Sequence, residues 1–300
     1  MKRTSKAYKI CMVFNYLFMI CLSLIIIFPY LNVIAKAFNE GVDTSLGGVT
    51  IFPRVPTLAN FKTLFENPSI GSASRVTIIR VFSGVLVGLL VQFTAAYALS
   101  RKELRYKKFF HVFLMIPMYF GGGLIPQYIL YSNMHLLNNI LVYILPTAFS
   151  FYNMVIIRTY MYTIPDSLSE AAKLDGANEF TIFAKIIMPL CKPILATIVL
   201  WLAVGHWNDW TTTLYFVTRQ DLYTMQYVLM KVLKEAEEIS KMLQEAVQSG
   251  GNVNINLDNA ATPEAVQAAQ IVLTTIPIVI VYPFLQKYFI KGVMLGAVKE

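Results

Sequence analysis

The sequence predicts an all-α membrane protein that crosses the bilayer about six times, and three observations carry that reading. Hydrophobic residues make up 56% of the 300 residues and charged residues only 14%, whereas a soluble domain carries about 25% charge. Apolar runs of about 20 residues recur along the chain, the length that crosses a hydrocarbon core. The basic residues behind the formal charge of +8 flank those runs and form no single stripe, a pattern of membrane topology and not of a nucleic-acid surface.

The runs place spans at about 10–35, 75–99, 109–131, 139–161, 193–216 and 268–286 of a single transmembrane domain, 1–300. Each is expected to be helical, because a spanning segment must satisfy its own backbone. The first run, from Ile10 to about Ala35, is too long for a cleaved signal and reads as a retained anchor. Cys11, Cys21 and Cys191 form neither a disulfide framework nor a metal spacing. Pro29, Pro117, Pro126, Pro146, Pro277 and Pro283 lie in the runs; they read as helix shape ahead of moving hinges. Arg75 and Arg80, at the start of the second span, read as snorkelling to headgroups.

Orientation follows from lysine and arginine. Lys2, Arg3, Lys6 and Lys9 precede the first span, and Arg101, Lys102, Arg105, Lys107 and Lys108 follow the second. The loop "SNMHLLNN" after the third has none. The positive-inside rule puts both termini and the 165–190 loop in the cytoplasm. Two long external segments remain. In 36–74, Leu58, Phe61, Leu64 and Phe65 recur at helical spacing and predict an amphipathic helix on the bilayer interface. In 217–267, a polar helix "LMKVLKEAEEISKMLQEAVQ" precedes a polar loop, "SGGNVNINLDNAATPEA".

Between the fourth and fifth spans stands "DSLSEAAKLDGANEFTIFAKIIMP". Ser167 and Glu170 have capping-box spacing, with Asp166 as the competing cap. Leu168, Ala171, Ala172 and Leu174 line one side of a short helix. Gly176 suits a left-handed cap, Asn178 caps a second short helix, and Pro189 stops it. The product is a helix–turn–helix elbow.

The stretch Glu170-Ala171-Ala172, Asp175-Gly176-Ala177, then Ile186, Met188 and Pro189 resembles the signature loop of bacterial ABC importer permeases. Met188 stands where leucine is frequent. "GGGLIPQYIL", "WNDW" and "YPFLQKYFIKGVMLGAVKE" are similar to the carbohydrate-uptake branch for oligosaccharides. The resemblance implies a type I importer permease fold. In it the 165–190 loop, through Glu170, Ala171, Ala172, Asp175, Gly176 and Ala177, docks in a cytoplasmic ATPase. It further implies a second, different permease, two ATPase copies, an external sugar-binding protein and a carbohydrate cargo, in a bacterial cytoplasmic membrane. Residues 287–300 would form a tail near the ATPase or simply fray. No G-x-x-x-x-G-K-[ST] phosphate loop is present, so the chain is expected not to be an enzyme. It would hold no cofactor or metal, ATP and Mg residing on the partners.

A sugar route needs hydroxyl partners and flat ring faces, which aromatics with polar tips supply at less cost than charges. The candidates are Trp207, Asn208, Asp209 and Trp210 on the fifth span, Tyr119, Gln127 and Tyr128 on the third and Asn153 on the fourth, with Gln92 and Tyr97 deeper. Asp209 is the one carboxylate expected inside a span. The alternatives for these residues stay open: an aromatic belt for the tryptophans and a paired or interfacial Asp209. The Gly121–Gly123 run reads first as close helix packing, second as an unwound stretch beside a cavity. A rival function is an ion-gradient carrier or channel, with His111 and His206, read as interfacial, and Asp209 as relay candidates. An intramembrane hydrolase lacks its motif.

Overall fold

A computed structural model describes residues 6–248 and 262–297. Lys2, Arg3, the 249–261 part of the polar loop, Lys299 and Glu300 lie outside the described residues. The elements are α1 (Lys6–Ala37), α2 (Gly41–Ser45), α3 (Ala59–Glu66), α4 (Pro68–Ser100), α5 (Lys107–Tyr119), α6 (Leu124–Asn133), α7 (Phe151–Met161) and α8 (Asp166–Leu174). They continue with α9 (Glu179–Leu190), α10 (Lys192–Asn208), α11 (Thr211–Phe216), α12 (Met225–Gln248) and α13 (Pro263–Ala297).

The chain divides into two compact units. The first comprises 1–68 and 229–276. Here α1 spans bilayer length, with Pro29 inside it. Asn39 organises the connection that follows. Its Nδ2 donates to Asp43 and Thr44, and its Oδ1 accepts from the amides of Arg54 and Val55. Lys36 pairs with Glu264 at 2.7 Å. The amphipathic helix forms as α3, but it does not simply lie outward. Leu64 is buried, Phe61 packs on Phe38, and Asn60 donates to the carbonyls of Ala37 and Asn39. Only Leu58 and Phe65 of the four stay exposed, because backbone carbonyls behind α3 require the buried Asn60.

The second unit comprises 69–228 and 277–300. Its main core joins Phe93, Ala96 and Leu99 of α4, Met154, Ile157 and Met161 of α7, Ile182 and Ile187 of α9, Cys191, and Ile198 and Leu202 of α10. Four expected spans differ in detail. The third is two helices bent by 116° at Phe120–Gly123. Gly123 takes a left-handed φ of +84°, and Gly121 and Gly123 have open space where a Cβ would stand. The close-packing reading of this run is therefore overturned for this chain: the glycines make a corner.

The fourth is helical only from Phe151 to Met161, preceded by a 3₁₀ turn at Ile140–Tyr143. Pro146 has no amide to give a helix there, and Gln92 takes the Ala148 carbonyl at 3.1 Å. The fifth breaks at Asp209–Trp210 before resuming as α11. The last helix starts earlier and ends later than 268–286, so most of the expected tail is helical. By length and composition three helices reach across a membrane, or up to five with each bent pair counted as one span, among the described residues.

Candidate functional site

The elbow is built by α8, a tight turn and α9. Pro165 fixes the entry at φ −60° and α8 opens at Asp166, with no side-chain cap. The Ser167–Glu170 capping box is thus not formed, because the helix starts two residues too early for Ser167 to stand in front of it. Asp166 pairs with Lys102 at 2.7 Å. The hydrogen bond from Lys102 holds the Asp166 carboxyl below its ordinary pKa. The exit is a Schellman turn: the Ala177 amide reaches the Ala172 carbonyl at 2.9 Å and the Gly176 amide reaches Lys173 at 3.1 Å. Gly176 has φ +80°, a conformation that disfavours any Cβ. The Asn178 Oδ1 then accepts from the Thr181 amide at 2.8 Å and caps α9. α9 contains a wide π turn at Ile182–Ile187 and runs past Pro189 to Leu190, where the chain bends 80° into α10. The helix thus ends one residue beyond Pro189.

One side of the elbow is anchored. Ser169, Ile182 and Ile187 are buried, Ala172, Ala177, Ile186 and Met188 pack on the core, and Phe183 meets Phe93 and Tyr97 at 5.0 Å. The expected apolar side of α8 splits. Only Ala172 turns inward, while Leu168 and Ala171 are exposed and Leu174 is 90% exposed. Phe180 is 75% exposed beside them in sequence, and Glu170 and Asp175 are exposed too. The elbow thus presents apolar and acidic groups together to its surroundings.

A polar bracket ties the elbow to the end of α4. Glu179 accepts from the Tyr97 hydroxyl at 2.7 Å and pairs with Lys173 at 2.8 Å and Arg101 at 3.3 Å. Arg101 also binds the Tyr97 hydroxyl and lies over its ring at 4.3 Å. The hydrogen bond from Lys173, then that from Tyr97, hold the Glu179 carboxyl below its ordinary pKa. A cavity of about 460 Å³ lies behind, lined among others by Tyr97, Arg101, Tyr162, Ser169, Glu170 and Lys173. Tyr97 serves this bracket, and Arg101, Lys173 and Glu179 escape sequence reasoning. A lysine and glutamate six apart across a glycine turn match no helical spacing.

The second cluster surrounds the break in the fifth span. Arg80 is 1% exposed, which overturns its headgroup reading; Arg75 is exposed. The Arg80 guanidinium pairs with the Asp209 carboxylate and donates to the Asp209 carbonyl at 2.8 Å. It lies over the Tyr143 ring at 4.7 Å. Asp209 also accepts from the Thr211 hydroxyl at 2.7 Å and the Thr212 amide at 3.1 Å. Its carboxylate is engaged and not a free ligand group.

Asn208 is exposed and accepts from Gln226 at 3.4 Å; Trp207 and Trp210 are half-buried beside it in sequence. Tyr128 stacks near Phe216 of α11, while Tyr119 and Gln127 are exposed on either side of the glycine corner. Asn153 is 9% exposed and Gln92 fully buried. The two histidines are not free at an interface. His206 is buried against Gly84, and His111 Nδ1 lies 3.0 Å from Arg158. Among the described residues no group of three or more His, Cys, Asp or Glu is arranged to hold a metal.

The chain matches the family "Binding-protein-dependent transport system inner membrane component" over residues 1–295. It is 34% identical over 98% of its length, and 97% of the relative's, to Protein LplC of Bacillus subtilis (strain 168). It is 31% identical over 95% of its length, and 96% of the relative's, to the polygalacturonan/rhamnogalacturonan transport system permease protein YtcP of the same organism. Among solved structures it is similar to a chain of a bacterial ABC transporter involved in the import of the acidic polysaccharide alginate. The TM-score is 0.85 with 27% identity, covering 96% of this chain and 100% of that one.

Proposed function

The chain belongs to the binding-protein-dependent transport system inner membrane component family, and on that premise we propose that it translocates an oligosaccharide or polysaccharide fragment by alternating access. It does so as one permease of an ATP-driven importer, beside a second permease and above two copies of an ATPase that carries the ATP and Mg. A binding protein delivers the cargo from outside. Both termini and the elbow face the cytoplasm, consistent with the basic residues after α4.

The observation that carries this reading is the elbow. Its outer edge offers Leu174 and Phe180 with Glu170 and Asp175 to a partner, while its inner side is packed into the core and bracketed to α4. Such an element moves as one piece with the helices behind it, so displacement of a partner becomes rotation of the bundle. An ion-gradient carrier would require unpaired relay groups within the spans. Asp209 is paired with Arg80, and His111 abuts Arg158.

The test is affinity purification of the tagged chain from its native membrane, with mass spectrometry of the subunits it brings down. Uptake of radiolabelled oligogalacturonides, alginate oligomers and maltodextrins is measured in cells with and without the chain. Co-purification of an ATPase, with loss of uptake of one carbohydrate class on deletion, supports the reading. Absence of an ATPase from the complex, or uptake of all three classes unchanged, overturns it.

A further inference from the structure

The Arg80 cluster is not accounted for by coupling to a partner. A fully buried arginine in a membrane helix is costly unless every polar neighbour is arranged for it. Here the arrangement converges on a backbone break. α10 ends at Asn208, Asp209 is extended at φ −78° and ψ 112°, and helix resumes only at Thr211. A break at membrane depth frees carbonyls and amides that lipid cannot satisfy. Arg80 takes the Asp209 carbonyl, and the Asp209 carboxylate takes the Thr212 amide.

The same cluster extends beyond the break. Tyr143, whose ring lies under the guanidinium, has its hydroxyl 3.0 Å from the Thr213 hydroxyl and donates it to the Leu222 carbonyl at 2.8 Å. Thr213 meets Thr224 at 3.0 Å, and the Thr77 hydroxyl, one turn before Arg80 on α4, accepts from the Met225 amide at 2.9 Å. Both flanks of α11 and the start of α12 are therefore fixed to the α4 turn that carries Arg80.

We propose that Arg80 is a positioning residue of the transport pathway: it holds the fifth span broken at Asp209, so that Trp207, Asn208 and Trp210 are presented from a bend and not from a continuous helix. The proposal deepens the importer reading and rests on it for the word pathway, while the bend itself is measured independently of any cargo. Removing the guanidinium leaves the Asp209 carboxylate unpaired, and the bend opens to water.

The reporter is Asn208→Cys in a chain whose exposed Cys11 and Cys21 are replaced by serine, the buried Cys191 staying; labelling is read in this chain, and uptake in matching chains that keep Asn208. The intact complex in native membranes is treated with N-ethylmaleimide, and modification of the peptide that carries the reporter thiol is followed by mass spectrometry. Arg80→Met is expected to label about tenfold faster than the parent, and Arg80→Lys to lie between them. Arg80→Met/Asp209→Asn removes both charges and keeps an acceptor for the Thr212 amide, and it is expected to assemble in normal amount even where Arg80→Met alone fails to. A positioning role predicts that this double variant still labels differently from the parent by severalfold and imports cargo poorly. Labelling within twofold of the parent in the double variant, with full uptake, assigns the pair to stability alone and overturns the proposal. Altered labelling in a complex that imports no carbohydrate even as the parent sinks the importer reading and leaves the bend standing.

Discussion

Lys173 and Glu179 stand on opposite sides of the Gly176 turn, and their side chains close across it at 2.8 Å. The turn, the ion pair and the Tyr97 hydroxyl make α8 and α9 one body with the end of α4. The coupling role proposed for the elbow requires that closure.

Gly176 has open space around its missing Cβ, so the penalty for substitution there is conformational and not steric. A left-handed backbone costs a residue other than glycine about 1–2 kcal/mol. Gly176→Val is expected to leave membrane insertion intact and to lose ATPase co-purification or coupled uptake. Gly176→Asn, which tolerates that backbone, is expected to retain both. Quantifying the ATPase bound per tagged chain checks the pair.

Leu174 and Phe180 contribute little to this chain's own packing, being 90% and 75% exposed. Leu174→Asp and Phe180→Ser are expected to leave the melting temperature of the isolated chain within about 1 °C, since surface changes stay near ±0.5 kcal/mol. They should nevertheless reduce ATPase binding at least tenfold, read by titration of the purified partner. Equal binding would place the docking edge elsewhere.

The bracket has a defined pH window. The Glu179 pKa is held below the ordinary carboxylate value, so more protons bind the unfolded group than the folded one. Its contribution is present above the ordinary value of about 4.3 and is lost as pH falls through the depressed folded value. Amide exchange at 178–181 is expected to be flat from about pH 8 to 5, after correction for intrinsic rates, and to rise below about 4. In Glu179→Gln it should be raised throughout.

Gly84 is required by His206. A Cβ there would stand 2.3 Å from the His206 Nε2. Gly84→Ala is expected to destabilise the bundle by about 1–3 kcal/mol, and Gly84→Ala/His206→Ala to recover part of that. Thermal unfolding in detergent reads both.

The fold class is legible in the sequence because apolar length and charge placement are local properties of the chain. So are the left-handed Gly176 and the Asn178 cap, since both depend on one residue and its immediate neighbours. The Ser167 cap fails because Pro165 moves the helix start. The outward Leu174 escapes because helical spacing identifies an apolar side without saying whether it is covered. Arg80 reads as a headgroup contact from its position near a span end; its partner lies 129 residues away, a distance no periodicity crosses. The Gly121–Gly123 run suits both a close packing and a corner, and only the surrounding helices decide between them.

The central claim is that work from a nucleotide-hydrolysing partner enters through the elbow. It is tested most directly in proteoliposomes holding the purified complex, with binding protein and radiolabelled carbohydrate outside and nucleotide trapped inside. The account predicts accumulation with ATP, none with a non-hydrolysable analogue or with an ion gradient alone, and none with ATP in Gly176→Val. Accumulation driven by an ion gradient without ATP, or undiminished in Gly176→Val, would contradict it.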